Sequence, residues 1–385
     1  MENDTNEHPA GIDRVFLDGP PEPQDLQPVA TMLNPGSKHV AVPLGNAVEA
    51  YVNDPTRNAK DSTRRANRDK LSPLVRHFGA DADLKGITSE DFEAWTRLLL
   101  RLPKNAGKRF PAGSLEEMVK AGEAVRAEPI ARSNARGIQQ SASSLIDHLV
   151  KRERLDRNRL KPHILPKTKF TKPSRRPFTV AELNTLFRQP VFTGCIDEER
   201  GFSKTGPNVP KRSRYWLPLI ALFTGMRMGE IAQLWTDDVL EPDGVWALRV
   251  QFNADRDQEL KNPGSDRIIP IHKTLIDLGF VDWASAARQK NASRLFPDIP
   301  KSKDKQDFSS IFSKRFSKFL ETADLWRDGR TFHSLRHNFR DAVRDADLSD
   351  SVAKVLGGWA DDDPHNQYGR GYKIEMLKAA IDPAP

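Results

Sequence analysis

The chain has 385 residues, of which 37% are hydrophobic, and it contains a single cysteine. At about 150 residues per domain, this length predicts two or three domains. No apolar run approaches the roughly 18 residues of a membrane span, and one cysteine excludes both an internal disulfide framework and a cysteine zinc cluster. The N-terminus lacks the basic and apolar regions of a secretory signal, so we expect a soluble cytoplasmic protein.

Charge is unevenly distributed along the chain. The formal net charge is +7, and residues 1–42 hold seven acidic and two basic residues, a net of −5, so the rest carries +12. A basic body favours a polyanionic partner such as nucleic acid, although a solvated basic surface is the alternative. Residues 1–42 also contain six prolines and no helical or strand periodicity. They predict a flexible acidic tail.

Residues 43–160 are typical of a small helical domain. Apolar residues recur there at helical spacing in three stripes, which are Leu71, Val75 and Phe78, then Phe92, Trp95 and Leu99, then Ile138, Ala142, Leu145 and Leu149. Each stripe predicts a helix with one buried face. Ser62 or Thr63 is expected to cap the first helix, and Thr88 or Ser89 the second.

Basic residues crowd the first of these helices and the segment that follows the helical domain. Residues 161–177 combine prolines with lysines and arginines, which predicts an extended basic linker. Either a solvated surface or an electrostatic footprint on DNA would explain the charge. The candidates for DNA contact are Arg64, Arg65, Arg68, Lys167, Lys169, Lys172 and Arg175.

Residues 178–385 predict a second domain of mixed structure. Thr179 and Glu182 form a capping-box pattern, and residues 215–223 form a buried apolar run. The β-rich stretches 245–252 and 266–271 predict a hairpin with a long turn, followed by helices to the end. A last stripe of Ile374, Leu377 and Ile381 predicts a helix that docks on its own domain or on a neighbouring protomer.

Two polar motifs interrupt these apolar patterns. Arg227, in the stretch TGMRMGE, is expected at a turn between two buried helices, where its charge needs a partner. That partner is either Glu230, one turn later, or a phosphate. His333, Arg336 and Arg340 fall on one helix face, separate from the core stripe, and form a plausible phosphate site.

A third motif, Leu-Gly-Gly-Trp at 356–359, is followed by an acidic loop and Tyr368. We interpret the acidic run 361–363 with His365 as a loop and helix cap rather than as a metal site. In this order and spacing the three motifs resemble the tyrosine recombinase (phage integrase) family over roughly residues 179–380. The helical 43–160 segment is similar to that family's core-binding domain. The acidic N-terminus does not resemble the basic arm-binding domain that some members carry.

The resemblance implies a mainly α fold with a small β-sheet. It would comprise an α-helical, SAM-like core-binding domain and a mixed α/β tyrosine recombinase catalytic domain. The family's catalytic positions correspond to Arg227, the hairpin lysine Lys261, His333, Arg336, Trp359 and the nucleophile Tyr368. Arg340 is a further DNA-binding candidate. Tyr372, four residues after Tyr368, is the alternative nucleophile.

The implied activity is cleavage and rejoining of DNA strands through a 3′-phosphotyrosine, without metal, ATP or another cofactor. The implied partners are double-stranded recombination sites, a homo-tetramer on DNA formed from free monomers, and host bending or directionality factors. No membrane partner is expected, and the protein would associate with the nucleoid. Rival interpretations are a non-catalytic DNA-binding factor, a type IB topoisomerase or telomere resolvase, and an RNA- or ribosome-binding protein.

Overall fold

The structure is a computed structural model that describes residues 40–111, 113–167, 176–260, 263–303, 306–326, 329–359 and 372–383. The chain folds as two compact units, the first ending at Lys167 and the second beginning at Thr168. Each has its own apolar core. None of the helices in the described ranges is long and apolar enough to cross a membrane.

The first unit is helical. Its helices are α1 (Leu44–Asn53), α2 (Asp61–Phe78), α3 (Ser89–Leu99), α4 (Ala106–Arg109), α5 (Leu115–Ala124) and α6 (Arg132–Lys151). All three apolar stripes lie on these helices and pack in one core. Thr88 caps α3 in a reciprocal capping box with Asp91, as predicted. The cap predicted at Ser62 or Thr63 is wrong, because α2 begins at Asp61 and both residues lie in its first turn.

The first five residues of the segment assigned to a linker pack against the first unit. Leu165 is buried in its core, and its backbone N–H donates to Gln139 Oε1 over 2.9 Å. Arg136 Nε in turn donates to the Leu165 carbonyl over 2.9 Å. Residues 161–165 therefore belong to the helical unit, since their apolar side chains find partners there. The other predicted domain boundaries stay predictions.

The second unit combines helices with a three-stranded antiparallel sheet of order β1-β2-β3. Its elements are α7 (Val180–Phe187), α8 (Pro190–Thr193), α9 (Ser213–Thr224), α10 (Met228–Ala232), β1 (Val239–Leu240), β2 (Ala247–Val250), β3 (Arg267–Pro270), α11 (Lys273–Asp277), α12 (Phe280–Gln289), α13 (Ser309–Thr322), α14 (Phe332–Asp345), α15 (Asp350–Gly357) and α16 (Ile374–Ile381). The predicted hairpin is confirmed as the pairing of β2 with β3. Strand β1 has only two residues, too short for a period-two pattern to reveal it.

Gly225 places the turn after α9 against α14. It ends α9 with a left-handed conformation, φ 63°, and a Cβ there would lie 2.3 Å from Cδ1 of Phe339. Glycine is required because a side chain would be strained by that φ and would collide with the α14 ring. The turn that carries Arg227 therefore lies directly on the helix that carries Arg336.

The C-terminal helix docks on its own unit. Leu377 and Ile381 are buried in the core of the second unit, and α16 packs on β3. Lys378 Nζ donates to the Ile271 carbonyl over 2.8 Å, and the Lys273 N–H donates to Asp382 Oδ1 over 3.0 Å. In this single chain the helix packs on its own unit, and docking on a neighbouring protomer stays a prediction.

Candidate active site

Arg227 lies at the N-terminus of α10, between two buried helices, as predicted. Its Nη1 donates to Glu230 Oε1 over 2.6 Å and to Ser265 Oγ over 3.1 Å. Its Nη2 donates to the Gly358 carbonyl over 3.1 Å. The side chain keeps 22% of its surface exposed, so the guanidinium is held by protein on one side and open on the other.

Glu230 is the buried carboxylate of the site. It is only 4% exposed, and it pairs with Arg227 and, over 2.9 Å, with Nη2 of Arg267. Burial by itself raises the pKa of Glu230, but the charge and hydrogen bonds of Arg267 and the hydrogen bonds of Arg227 outweigh it and lower the pKa. The carboxylate therefore stays ionised. The pair that the sequence analysis left as one alternative for Arg227 is present, and it leaves one face of Arg227 open.

Arg336 is buried on α14, where only 3% of its surface is exposed. Its Nη1 donates to the Gly225 carbonyl, and no other hydrogen bond to it is found among the described residues. Burial, reinforced by repulsion from Arg227, lowers the pKa of Arg336 to about 9. The guanidinium is still cationic at neutral pH, in a site where a bound anion would be stabilised by its charge.

The ring of Trp359 lies against two arginines of α14, Arg336 and Arg340. Its ring centroid lies 4.7 Å from Cζ of Arg336 and 5.6 Å from Cζ of Arg340, and the ring stacks on Phe339 at 6.3 Å. The α15 helix ends at Gly358 in a left-handed conformation, which turns the chain back towards α14. The tryptophan of the third motif thus lies against two arginines of the second motif.

His333 lies in the first turn of α14, one turn before Arg336. Its half-buried ring makes an edge contact with His337 at 5.0 Å. On α14, residues 333, 336 and 340 are spaced i, i+3 and i+7. His333 therefore lies on the same side of the helix as Arg336 and Arg340. The predicted polar face of α14 is present, although Arg336 itself is buried rather than exposed.

Lys261 and Tyr368 lie outside the described residues. The alternative nucleophile, Tyr372, is described, and its hydroxyl donates to Ser351 Oγ over 2.7 Å. Ser351 is in the first turn of α15, and Gly358 follows the last turn, so at 1.5 Å per residue the two ends are about 10 Å apart. Tyr372 is therefore held at the opposite end of α15 from the arginine cluster.

The DNA-binding candidates on α2 differ in their surroundings. Arg68 makes a bidentate pair with Glu49, over 2.9 and 2.7 Å, while Arg64 lies 3.9 Å from Asp61. Arg65 and Lys167 are exposed, although Arg65 has an interaction partner. Lys169, Lys172 and Arg175 lie outside the described residues. The pair with Glu49 neutralises the charge of Arg68.

Two residues of the site were missed by the sequence analysis. Arg267 lies within the predicted stretch 266–271 and Gly225 within the TGMRMGE motif, but neither is among the predicted site residues. The missed signal for Arg267 is an arginine at an inward position of an otherwise apolar strand, since β3 reads Arg-Ile-Ile-Pro. With Arg227, Arg336 and Glu230, Arg267 completes a cluster of three guanidiniums and one carboxylate. Such a cluster has a net positive charge. It can bind an anion whose negative charge is shared by two oxygens, such as a phosphate diester.

Comparisons with known proteins agree with this geometry. Residues 204–373 match the phage integrase family. The chain is similar to a lambda integrase tetramer bound to a Holliday junction, with 16% identity, 92% of this chain and 86% of that chain covered, and a TM-score of 0.55. It is similar to the Tn1549 transposon integrase in complex with a circular intermediate DNA, with 12% identity, 89% and 99% covered, and a TM-score of 0.53.

A third similar structure is a lambda integrase dimer bound to a COC′ core site, with 17% identity, 89% of this chain and 85% of that chain covered, and a TM-score of 0.53. No curated protein gives a significant sequence match. At these identities the structural likeness shows the fold. It confirms the predicted mainly α fold class with its small sheet, and the family match confirms the resemblance that the motifs indicated.

Proposed function

We propose that this chain, whose residues 204–373 match the phage integrase family, is a site-specific DNA recombinase of the tyrosine class. The observation that carries the proposal is the cluster of Arg227, Arg267 and Arg336 around the carboxylate of Glu230. Arg227 keeps 22% of its side chain exposed, and a guanidinium held in this way suits the non-bridging oxygens of a phosphate.

The reaction proposed is transesterification at a DNA phosphodiester. The phenolic oxygen of Tyr368 attacks phosphorus and the bond from phosphorus to the 5′ oxygen breaks, which leaves a 3′-phosphotyrosine and a free 5′-hydroxyl. Rejoining is the reverse step with a 5′-hydroxyl from another strand. Because the covalent link conserves the phosphodiester, no ATP is consumed, and this is nucleophilic catalysis in two similar steps.

Arg227 and Arg336 would stabilise the charge that grows on the non-bridging oxygens in the transition state. A guanidinium presents two parallel N–H groups to an oxyanion, which lysine cannot do. Their cationic charge, held in a partly buried site, needs little reorganisation when the transition state forms. In this proposal Trp359 fixes the orientation of Arg336 by stacking, at 4.7 Å between Cζ and the ring centroid.

Proton transfers would be served by two further residues. A phenol ordinarily carries its proton at neutral pH, and in this proposal His333, on α14, accepts the proton of Tyr368 as the oxygen attacks. Lys261, from the turn between β2 and β3, is the proposed donor to the leaving 5′ oxygen. Both assignments rest on the resemblance and on the sequence order.

DNA is the proposed partner throughout. Lambda integrase is found as a tetramer on a Holliday junction and as a dimer on a core site, and we extend this to an assembly of four copies of this chain on DNA from free monomers. Host bending or directionality factors, integration or excision of a mobile element, and location in the cytoplasm at the nucleoid are further parts of the proposal. Binding should weaken steeply with salt because phosphate contacts dominate.

The test is covalent trapping. Nicked suicide duplexes that carry the ends of the element encoding the protein are incubated with it and resolved on denaturing and native gels. A denaturant-resistant adduct at one strand position supports the recombinase. Relaxation of supercoiled plasmid without sequence preference would instead favour a topoisomerase, and a specific native shift without adduct would favour a non-catalytic binder.

A further inference from the structure

Arg267 is a buried arginine of the cluster to which the reaction proposed above assigns no step. It is the first residue of β3, and only 5% of its side chain is exposed. Each of its three nitrogens donates to a different part of the second unit. Nε donates to the Leu356 carbonyl over 3.1 Å, Nη1 to the Ser265 carbonyl over 2.8 Å, and Nη2 to Glu230 Oε2 over 2.9 Å.

Arg227 donates to the same three parts of the unit, which are Glu230, Ser265 and the end of α15. Glu230 binds both arginines, and Ser265 accepts from Arg267 with its carbonyl and from Arg227 with its hydroxyl. At the C-terminus of α15, Arg267 takes the Leu356 carbonyl and Arg227 takes the Gly358 carbonyl. The last carbonyls of a helix lack partners within it and carry the negative end of its dipole, so two guanidiniums stabilise this end well.

Little of Arg267 is open to a ligand, since only 5% of its side chain is exposed. Its nitrogens are all engaged by protein, and Gly358 lies so close that a Cβ there would be 2.5 Å from Nη1. The open side of the cluster belongs to Arg227, which keeps 22% of its side chain exposed. Arg267 therefore acts on the site through its neighbours.

We propose that Arg267 is a positioning residue that clamps Glu230, the Ser265 turn and the end of α15 together, so that Arg227 and Trp359 are fixed against the same phosphate. The inference rests on the proposed recombinase function. In this proposal Arg267 holds the other site residues in their correct positions and does not contact DNA itself. A displacement of about 1 Å in such a group can cost about 100-fold in rate.

The experiment compares Arg267→Lys, Arg267→Met and a matched control in the full chain. The control is Arg294→Met, because Arg294 is a half-buried arginine that donates to two carbonyls, Ile299 over 2.9 Å and Ala232 over 3.0 Å, and these are not acceptors of Arg227. Single-turnover cleavage of the suicide duplex at saturating protein gives the rate constant, and titration with the same duplex gives the dissociation constant.

We expect both Arg267 variants to lower the cleavage rate constant by about 100-fold while the dissociation constant changes by less than about threefold. Lysine should fail like methionine, since one ammonium cannot serve three separated acceptors in fixed directions. Arg294→Met should cleave within about threefold of the wild type. Equal losses in the rate and in DNA affinity, or a Lys variant with wild-type rate, would overturn the proposal.

A double-mutant cycle separates positioning of Arg227 from general damage. If Arg267 acts through Arg227, Arg227→Ala and the double variant Arg227→Ala/Arg267→Met should cleave at rates within about threefold of each other. A duplex with a methylphosphonate at the scissile position, which lacks one anionic oxygen, should reduce the defects of Arg267→Met and Arg227→Ala by the same factor. Additive losses, or no reduction for Arg267→Met, would contradict the proposal.

Folding is checked by thermal unfolding of each variant. If Arg267→Met is unfolded, the comparison is made with Arg267→Lys, and unfolding of both while Arg294→Met stays folded would show a general structural role and refute the inference. Failure of the proposed function is a different result, because then the wild type itself forms no covalent adduct. A wild type that cleaves together with Arg267 variants that cleave equally well would refute only the inference.

Discussion

Glu230 binds Arg227 at both ends of the arginine. Its Oε2 accepts the backbone N–H of Arg227 over 2.9 Å, and its Oε1 accepts from Nη1 over 2.6 Å. The first bond caps α10 and the second fixes the guanidinium, so one carboxylate sets both the start of the helix and the direction of the side chain. The orientation of Arg227 is consequently built in before any anion binds.

Replacing this carboxylate should damage the stability and the chemistry together. Glu230→Gln removes the charge that compensates two guanidiniums, and loss of one partner from a buried pair costs about 3–5 kcal/mol. We expect the free energy of unfolding in urea to fall by about that amount, and covalent adduct formation to be lost. A Gln variant that forms adduct at the wild-type rate would contradict the role of Glu230.

The same carboxylate predicts a dependence on pH. The folded-state pKa of Glu230 is lowered, so its contribution to stability is complete above its ordinary value near 4.5 and is lost as pH falls through the lowered value. Urea unfolding of the wild type at pH 7 and pH 4 should therefore differ by more than that of Glu230→Gln. Equal differences in the two proteins would contradict the prediction.

Glu198 is a second, largely buried glutamate, and we predict the opposite behaviour for it. Its Oε2 lies 3.6 Å from Nε of Arg212 and has no hydrogen bond among the described residues. Burial raises the pKa of Glu198, and the charge of Asp298 raises it further. A raised folded-state pKa means that the carboxyl favours folding at low pH, and that this advantage is lost as pH rises through that value.

Glu198→Gln should therefore stabilise the protein at pH 7, by about 1 kcal/mol, and should have little effect below pH 4. The neighbouring Glu199 is exposed, so Glu199→Gln is the matched control and should leave the urea midpoint unchanged at both pH values. Destabilisation by Glu198→Gln at pH 7 would show that its contacts with arginine outweigh its burial.

Charge alone should not replace the arginine fork. Arg227→Lys and Arg336→Lys keep a cation but present one nitrogen to the phosphate, so each should lower the rate of adduct formation by about 100-fold. Affinity for the duplex, measured by native gel, should change by less than about threefold, because many other phosphate contacts contribute. Rates within about threefold of wild type for both variants would contradict the assignment of these arginines.

The contact between Trp359 and Arg336 can be tested by replacing the tryptophan with a smaller aromatic residue and with alanine. Trp359→Phe keeps an aromatic face for Arg336 and for Phe339, so adduct formation should fall by no more than about tenfold. Trp359→Ala removes the face and should lower the rate by at least about tenfold more, since Arg336 then loses its support. Identical rates for Phe and Ala would show that the ring does not position the arginine.

The sequence predicted those parts of the site that follow from local periodicity and motif order. The helical pattern of α14 separates Phe339 in the core from Arg340 at the surface, and the glycines at 357–358 end α15, so both motifs could be placed. The burial of Arg336 could not be predicted, because it depends on α9 and α14 meeting at Gly225. The role of Arg267 depends on two acceptors that are distant in sequence, Glu230 at 37 residues and Leu356 at 89 residues.

The central claim is that Tyr368 is the nucleophile that the arginine cluster serves. The most direct measurement is the covalent adduct on suicide duplexes, compared between wild type, Tyr368→Phe and Tyr372→Phe, with a native gel for binding. The account predicts an adduct with wild type and with Tyr372→Phe, and no adduct with Tyr368→Phe although that variant still shifts the duplex. An adduct that survives in Tyr368→Phe and disappears in Tyr372→Phe would contradict it.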